Sequence, residues 1–175
     1  ICEYPQGASA MPHIRLDDDK FIPGLTKLAQ AIHSHDARAI VQITHAGPAH
    51  NPLVGGEPVA PSRLEPPAEP VFAVAHELTK EEIIALVEKF AQAAQRVKKS
   101  GFDGVELHGT SGYLSMQFLA SGSNRRDDEF GGSAANRARF AFECLQAMAN
   151  AIGPGRVGLR MRPGNPYNDI QDDEP

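Results

Sequence analysis

The chain has 175 residues, of which 41% are hydrophobic and 22% charged, a composition typical of a globular domain. Its formal net charge of −5 argues against a nucleic-acid groove, and its two cysteines are too few for a disulfide framework. No apolar run reaches the ~18–20 residues of a membrane-spanning helix. We therefore expect no nucleic-acid or membrane partner, and we expect a cytoplasmic protein.

Both ends of the chain lack the features of a domain boundary. The first residue is Ile1 rather than Met, and the last four, 172–175, form an acidic segment that ends in proline. We therefore expect the chain to be a piece of a longer protein.

The first part of the chain predicts a strand, a helix and a second strand. The segment Ile1-Cys2-Glu3 is interpreted as the tail of a strand. Apolar spacings of 4, 3 and 4 residues then predict a helix whose buried face is formed by Phe21, Leu25, Leu28 and Ile32. The apolar run over 39–43 predicts the second strand.

The middle of the chain repeats this pattern. Thr79 and Glu82 have the spacing of a capping box and predict a helix over 79–99, closed by Gly101. The segment 102–108 alternates apolar and polar residues, which predicts a strand with one polar face that carries Glu106 and His108.

A third unit completes the fold prediction. A helix is predicted over 134–152 and a strand over 156–161. Alternating strands and helices indicate a parallel sheet and the α/β class. The connections that follow strands are long, 44–78 and 109–133, as in a TIM (β/α)8 barrel, whose active site lies on that face. A doubly wound sheet stays open, although no GxGxxG follows a strand.

Three predicted strands end in polar residues: Gln42, Thr44 and His45, then Glu106 and His108, then Arg160 and Arg162. One interpretation is that Glu106 and Arg160 are structural partners inside a barrel, since buried charges must be paired. The other is a functional site, which three polar strand ends favour. In that case the imidazole of His108 can bind a carbonyl or anionic oxygen, and the phenol of Tyr113 can act as a general acid.

The motifs together resemble the old yellow enzyme family. The resemblance rests on segments in the right order: QITHAG from Gln42, APS from Ala60, GFDGVELH up to His108, GYL around Tyr113, QFL from Gln117, NRRDDEFGGS from Asn124 and NRARF from Asn136. It implies an FMN-dependent NAD(P)H:flavin oxidoreductase or ene-reductase on a TIM barrel. The chain is too short for eight βα units and would supply about strands 2 to 5, so 1–175 is interpreted as an N-terminal to central fragment of one flavin-binding domain.

The resemblance also implies the site residues. Gln42 and Arg160 would bind FMN, and His108 would bind the carbonyl oxygen of an activated alkene. Tyr113 would protonate that substrate after hydride transfer, with NADH or NADPH as the reductant. A second His or Asn of the family is replaced by Ser111, which would be a substrate-binding residue.

Three alternatives stay open. The first is a 2,4-dienoyl-CoA reductase-like flavoenzyme with the same site residues. The second is an inactive barrel fragment that descends from the same family. A metal-dependent hydrolase barrel could use His45, His50, Glu106 and His108 as ligands, although we expect no metal. The partner is expected to be a small-molecule substrate, and a homo-oligomer is left open.

Overall fold

The computed structural model of the chain describes residues 1–9, 13–63 and 74–164, and a three-stranded parallel sheet lies at its centre. The strands are β1 (Ile40–Ile43), β4 (Gly104–Gly109) and β5 (Val157–Met161), in the order β1-β4-β5. Two shorter strands, β2 (Val59–Ala60) and β3 (His76–Glu77), pair in parallel within the segment expected to be a loop. The expected α/β class with parallel strands is confirmed.

Four helices accompany the strands: α1 (Ile22–His33), α2 (Lys80–Lys99), α3 (Leu114–Leu119) and α4 (Ala134–Ile152). The three predicted long helices form, and the two predicted with bounds, 79–99 and 134–152, agree with α2 and α4 to within one residue. The exposed Leu28 departs from the predicted buried face of α1, where Leu25 and Ala29 are the buried residues. None of the described helices is long and apolar enough to cross a lipid bilayer.

Helix α2 begins and ends as its sequence predicts. The Thr79 hydroxyl accepts the backbone N–H of Glu82 at 3.2 Å, and the Thr79 N–H donates to the Glu82 carboxylate at 2.8 Å. Gly101 has a φ of 88°, and the next residue, Phe102, donates its N–H to Val97 O at 3.4 Å. This left-handed turn ends the helix and directs the chain into β4.

The core lies between the sheet and helices α2 and α4. On β4, Val105 and Leu107 are buried in this core, so the alternating residues Glu106 and His108 lie on the opposite face. An aromatic cluster from three helices fills the core: the rings of Phe118 and Phe140 stack at 4.4 Å, and Phe90 meets Phe140 edge-on at 6.2 Å.

Asp103 joins three segments just before β4 begins. Its carboxylate accepts the backbone N–H of Ala39 at 2.8 Å, Arg38 Nη1 at 2.6 Å and His33 Nε2 at 2.9 Å. The end of α1, the start of β1 and the start of β4 are thereby joined at the amino-terminal edge of the sheet.

The strand tail predicted at Ile1–Glu3 is wrong, because these residues are not in a strand. Cys2 donates its N–H to Thr44 O at 3.3 Å, and Ile1 O accepts the N–H of Leu16 at 3.0 Å. Two isolated bonds to different segments do not make a ladder. The segment instead packs against the turn that follows β1.

Candidate active site

The register of the sheet brings the predicted strand-end residues together. Gln42 of β1 pairs with Glu106 of β4, and two residues further along β4, His108 pairs with Arg160 of β5. The four side chains share the face that points away from α2 and α4. They lie toward the carboxyl ends of parallel strands, where α/β proteins bind ligands.

Gln42 connects Glu106 to His108 by hydrogen bonds. Gln42 Nε2 donates to Glu106 Oε1 at 2.5 Å, and Gln42 Oε1 lies 2.8 Å from His108 Nδ1. Since a carbonyl oxygen only accepts, His108 Nδ1 carries a hydrogen in this network. Neutral His108 therefore has its lone pair on Nε2, and only the imidazolium can donate from that atom.

The surroundings of His108 favour its neutral form. Burial and the positive charge of Arg160 lower the pKa of His108, and the carboxylate of Glu106 opposes them with a smaller effect. His108 Nε2 is buried and has no hydrogen-bond partner among the described residues. A buried nitrogen of this kind lacks a partner that most buried polar atoms have, so it is a candidate ligand-binding atom.

Tyr113 is held beside His108 by the turn after β1. The backbone N–H of Leu114, the first residue of α3, donates to His45 O at 3.1 Å. Gly47, with a φ of 60°, brings its backbone against Leu114, where a Cβ would come within 3.0 Å of the Leu114 Cα. The rings of Tyr113 and His108 then lie 5.2 Å apart, tilted by 48°. The predicted pair is thus brought together.

Ser111 and Thr110 occupy the turn between His108 and Tyr113. Ser111 has a φ of 61°, in the left-handed region that non-glycine residues seldom adopt. Thr110 is buried, and its hydroxyl has no partner among the described residues. Ser111 was predicted from its sequence position, whereas the buried hydroxyl of Thr110 was missed.

Arg160 and Gln42 are exposed, whereas His108 and Tyr113 are partly buried. Arg160 is level with His108 in the sheet and acts on that imidazole through its charge. Gln42, His108 and Tyr113 thus form a contacting group, and Arg160 extends the same face at β5.

A polar network joins His45, after β1, to Glu3 and Lys89. His45 is fully buried, accepts the N–H of Gly47 at Nδ1 (3.1 Å) and has Nε2 3.3 Å from Glu3 Oε2. Lys89 donates to the other oxygen of Glu3. Burial raises the pKa of Glu3, but the hydrogen bonds from His45 and Lys89 outweigh it and lower that pKa to about 2.

This network separates the residues of the metal-hydrolase alternative. His45 is engaged by Glu3, whereas Glu106 and His108 lie on the other side of the strand end. Within 1–9, 13–63 and 74–164, no three His, Cys, Asp or Glu side chains are arranged to hold a metal ion. The geometry gives that alternative no support.

One contact of Tyr113 was absent from the sequence analysis. Tyr113 donates its hydroxyl hydrogen to Ser9 Oγ at 3.0 Å, across a separation of 104 residues. Ser9 lies in a loop with no periodic pattern or motif, so no sequence signal connects it with Tyr113.

Comparison with known proteins identifies the family of the chain. The model of the NADH:flavin oxidoreductase / NADH oxidase family matches residues 2–174, and the chain belongs to this family. It is 43% identical over 153 residues to an NADH oxidase of Thermoanaerobacter brockii, covering 86% of the chain. A probable flavin mononucleotide-dependent alkene reductase of Leishmania infantum is 39% identical over 174 residues, covering 90% of the chain.

Solved structures of relatives superpose on the chain. Morphinone reductase in complex with tetrahydroNAD superposes with a TM-score of 0.88 at 37% identity, covering 92% of the chain and 49% of that protein. Such neighbours are old yellow enzyme TIM barrels. The chain spans only 23% of the NADH oxidase and 47% of the alkene reductase.

Proposed function

We propose that the protein containing this chain is an FMN-dependent oxidoreductase that uses NADH or NADPH to reduce activated alkenes. The observation that carries the proposal is the pairing of His108 with Tyr113, 5.2 Å apart, beside Gln42 at the strand ends. In a chain of this family, that arrangement fits an acceptor site for an α,β-unsaturated carbonyl compound.

The proposal includes a partial barrel within one flavin-binding domain, to which 1–175 contributes about strands 2 to 5. Ile40 on β1 and Met161 on β5 are 57% and 49% exposed, as expected where further elements pack in the whole protein. Hydrogen exchange should therefore be slower at β1 and β5 in the full-length protein than in the isolated chain. Equal exchange would contradict the partial barrel.

The residues present fit FMN. Gln42 uses one amide N–H and one lone pair on its neighbours, which leaves one donor and one acceptor site for the pyrimidine edge of a flavin. Arg160 adds a permanent positive charge on the same face. When bound, FMN would take a hydride from NADH or NADPH and pass it to the β carbon of the acceptor.

His108 and Tyr113 would have different roles: His108 would bind the carbonyl oxygen of the acceptor, and Tyr113 would protonate its α carbon. Neutral His108, the form that its surroundings favour, cannot donate from Nε2, so His108 would bind the carbonyl oxygen only after it takes up a proton. The imidazolium then donates from Nδ1 to Gln42 and from Nε2 to that oxygen, which polarises the alkene. Ser111 adds a hydroxyl to the same turn. Tyr113 then gives its phenolic proton to the α carbon, a step for which a positioned general acid contributes about 10²–10⁴-fold.

The test is anaerobic stopped-flow spectroscopy of the full-length protein. We expect a yellow protein that bleaches with NADH or NADPH and recovers its colour with 2-cyclohexen-1-one. Tyr113→Phe should bleach at the normal rate and recover at least about 100-fold more slowly. A colourless protein that ignores added FMN would overturn the proposal. A dienoyl-CoA thioester, tried as a second acceptor, tests the dienoyl-CoA alternative.

A further inference from the structure

The Tyr113 phenol is the first member of a three-residue hydrogen-bond chain. Tyr113 donates to Ser9 Oγ at 3.0 Å, and Ser9 Oγ lies 3.3 Å from His13 Nε2. The same His13 nitrogen accepts the backbone N–H of Ser9 at 3.2 Å, so it carries a lone pair. The hydroxyl of Ser9 therefore accepts from Tyr113 and donates to His13.

The loop that carries Ser9 is fixed to the turn that follows β1. Gly7 O accepts the N–H of Ala46 at 3.0 Å, and Ala8 O accepts the N–H of Asn51 at 2.9 Å. Ala8 is fully buried. Two backbone bonds and one buried side chain directly before Ser9 thus hold its hydroxyl at the Tyr113 oxygen.

His13 has the properties of an acceptor rather than a charged donor. Burial lowers the pKa of His13, which favours the neutral imidazole that the two Ser9 contacts require. With His13 neutral, the single hydrogen of the Ser9 hydroxyl has two acceptors within reach: His13 Nε2, and Tyr113 once its phenol has lost a proton.

We propose that Ser9, oriented by His13, is a positioning residue that supports proton donation by Tyr113. In the resting state Ser9 accepts the phenolic hydrogen, which turns to the α carbon of the substrate before it is transferred. When the Tyr113 O–H bond breaks and the proton forms a C–H bond on the substrate, the Ser9 O–H turns from His13 to the phenolate oxygen. Ser9 keeps its own proton throughout, and solvent later returns one proton to Tyr113. The proposal rests on the proposed function of Tyr113.

The experiment compares Ser9→Ala, Ser9→Thr and His13→Gln with Tyr113→Phe in the full-length protein loaded with FMN. Reoxidation by 2-cyclohexen-1-one should slow by about 2- to 10-fold in Ser9→Ala, the value of one neutral hydrogen bond. Ser9→Thr keeps the hydroxyl and should restore most of the rate. His13→Gln keeps an acceptor for Ser9 and should stay within about 3-fold of the wild type. Reduction by NADH or NADPH should be unchanged in the Ser9 and His13 variants.

A second measurement does not depend on activity. The infrared C–O stretch of the Tyr113 ring, assigned by its absence in Tyr113→Phe, reports the hydrogen bond of the phenol. It should shift in Ser9→Ala and remain near the wild-type position in Ser9→Thr. Ser34→Ala, whose hydroxyl donates to Ala31 O near the end of α1, is the matched control and should change neither readout.

The outcomes separate the two proposals. If Tyr113→Phe slows reoxidation but Ser9→Ala shows the wild-type rate and infrared frequency, the role of Ser9 is overturned and that of Tyr113 stands. If Tyr113→Phe reoxidises normally, the proposed role of Tyr113 fails first, and the role of Ser9 fails with it. A Ser9→Ala protein that loses FMN or reduction by NADH would indicate a structural role and would also overturn the proposal.

Discussion

His108 Nδ1 lies 2.8 Å from Gln42 Oε1, so the imidazole of one strand is bonded to the amide of its neighbour. Because Gln42 also donates to Glu106, the amide cannot turn over without losing its bond to the carboxylate. The network therefore fixes which nitrogen of neutral His108 carries the hydrogen. The sequence predicts that His108 binds a carbonyl oxygen, which only accepts hydrogen bonds. Neutral His108 can only accept at Nε2, so it must be protonated before it can donate to such an oxygen.

The first prediction concerns the charges that face His108. Glu106→Gln removes the carboxylate that favours the imidazolium and should lower the pKa of His108 further. Arg160→Gln removes the positive charge that opposes it and should raise that pKa. NMR titration of the His108 Cε1–H resonance measures both. Shifts of the same sign in the two variants would contradict the electrostatic account.

The second prediction concerns Glu3, whose pKa is lowered to about 2 from 4.5. A lowered carboxyl pKa stabilises the fold above pH 4.5, and this stabilisation is lost as the pH falls toward 2. It amounts to less than about 3 kcal/mol, because solvent screens this partly exposed group. Lys89→Met removes one donor to Glu3, so it should lower the melting temperature at pH 7. The melting temperature of this variant should also decrease less between pH 4.5 and 2.5 than that of the wild type.

A control for Lys89 is Lys80→Met, because Lys80 pairs with Glu129 at 2.5 Å on the surface. Exposed ion pairs contribute little to stability. Its melting temperature should follow the wild type at every pH. If the two lysine variants had the same acid profile, the stabilisation could not be assigned to Glu3.

The third prediction concerns Gly47, which holds α3 and Tyr113 against the end of β1. An alanine Cβ would lie 3.0 Å from the Leu114 Cα in a backbone with a φ of 60°. Gly47→Ala should therefore cost about 1–2 kcal/mol of stability and slow reoxidation by 2-cyclohexen-1-one more than reduction by NADH.

The matched control is Gly24→Ala in α1, where a Cβ meets nothing within 4 Å. This change should stabilise the helix by up to about 1 kcal/mol and leave both half-reactions unaltered. Thermal melting and stopped-flow traces of both variants provide the comparison. A Gly47→Ala protein with normal stability and rates would show that the close approach to Leu114 has no consequence.

The fourth prediction concerns the two cysteines. Burial raises the pKa of Cys2 to about 12 and raises that of Cys144 as well, so neither is a thiolate at neutral pH. Iodoacetamide should leave both unmodified in the native protein and alkylate both in urea, as read by peptide mass spectrometry. Rapid native alkylation of either thiol would contradict the burial of that side chain.

The sequence predicted the elements whose signals are local. The capping box of Thr79 and Glu82, the end of α2 at Gly101 and the alternation around Glu106 each depend on neighbours a few residues away. The predicted parallel order also holds, because it follows from alternating strands and helices. The strand tail at Ile1–Glu3 failed, since three residues carry no periodicity that distinguishes a strand from an extended loop.

Only the part of the site that lies in local motifs was predicted from the sequence. Gln42, His108 and Tyr113 lie in recognisable motifs, and the sheet register brings them together. Ser9 and the salt bridge between Glu3 and Lys89 depend on contacts between segments 104 and 86 residues apart. Such contacts depend on tertiary packing, and local sequence patterns do not predict them.

The Asp103 junction has a consequence for protein engineering. Asp103, just before β4, and His108, on β4, are five residues apart in extended chain, which is about 16 Å. Substitutions separated by that distance, with no shared partners, usually have additive effects. Changes around His33 and Arg38 that alter stability should therefore combine additively with changes around Ser111 that alter the proposed acceptor site, so the two sets can be selected independently and then combined.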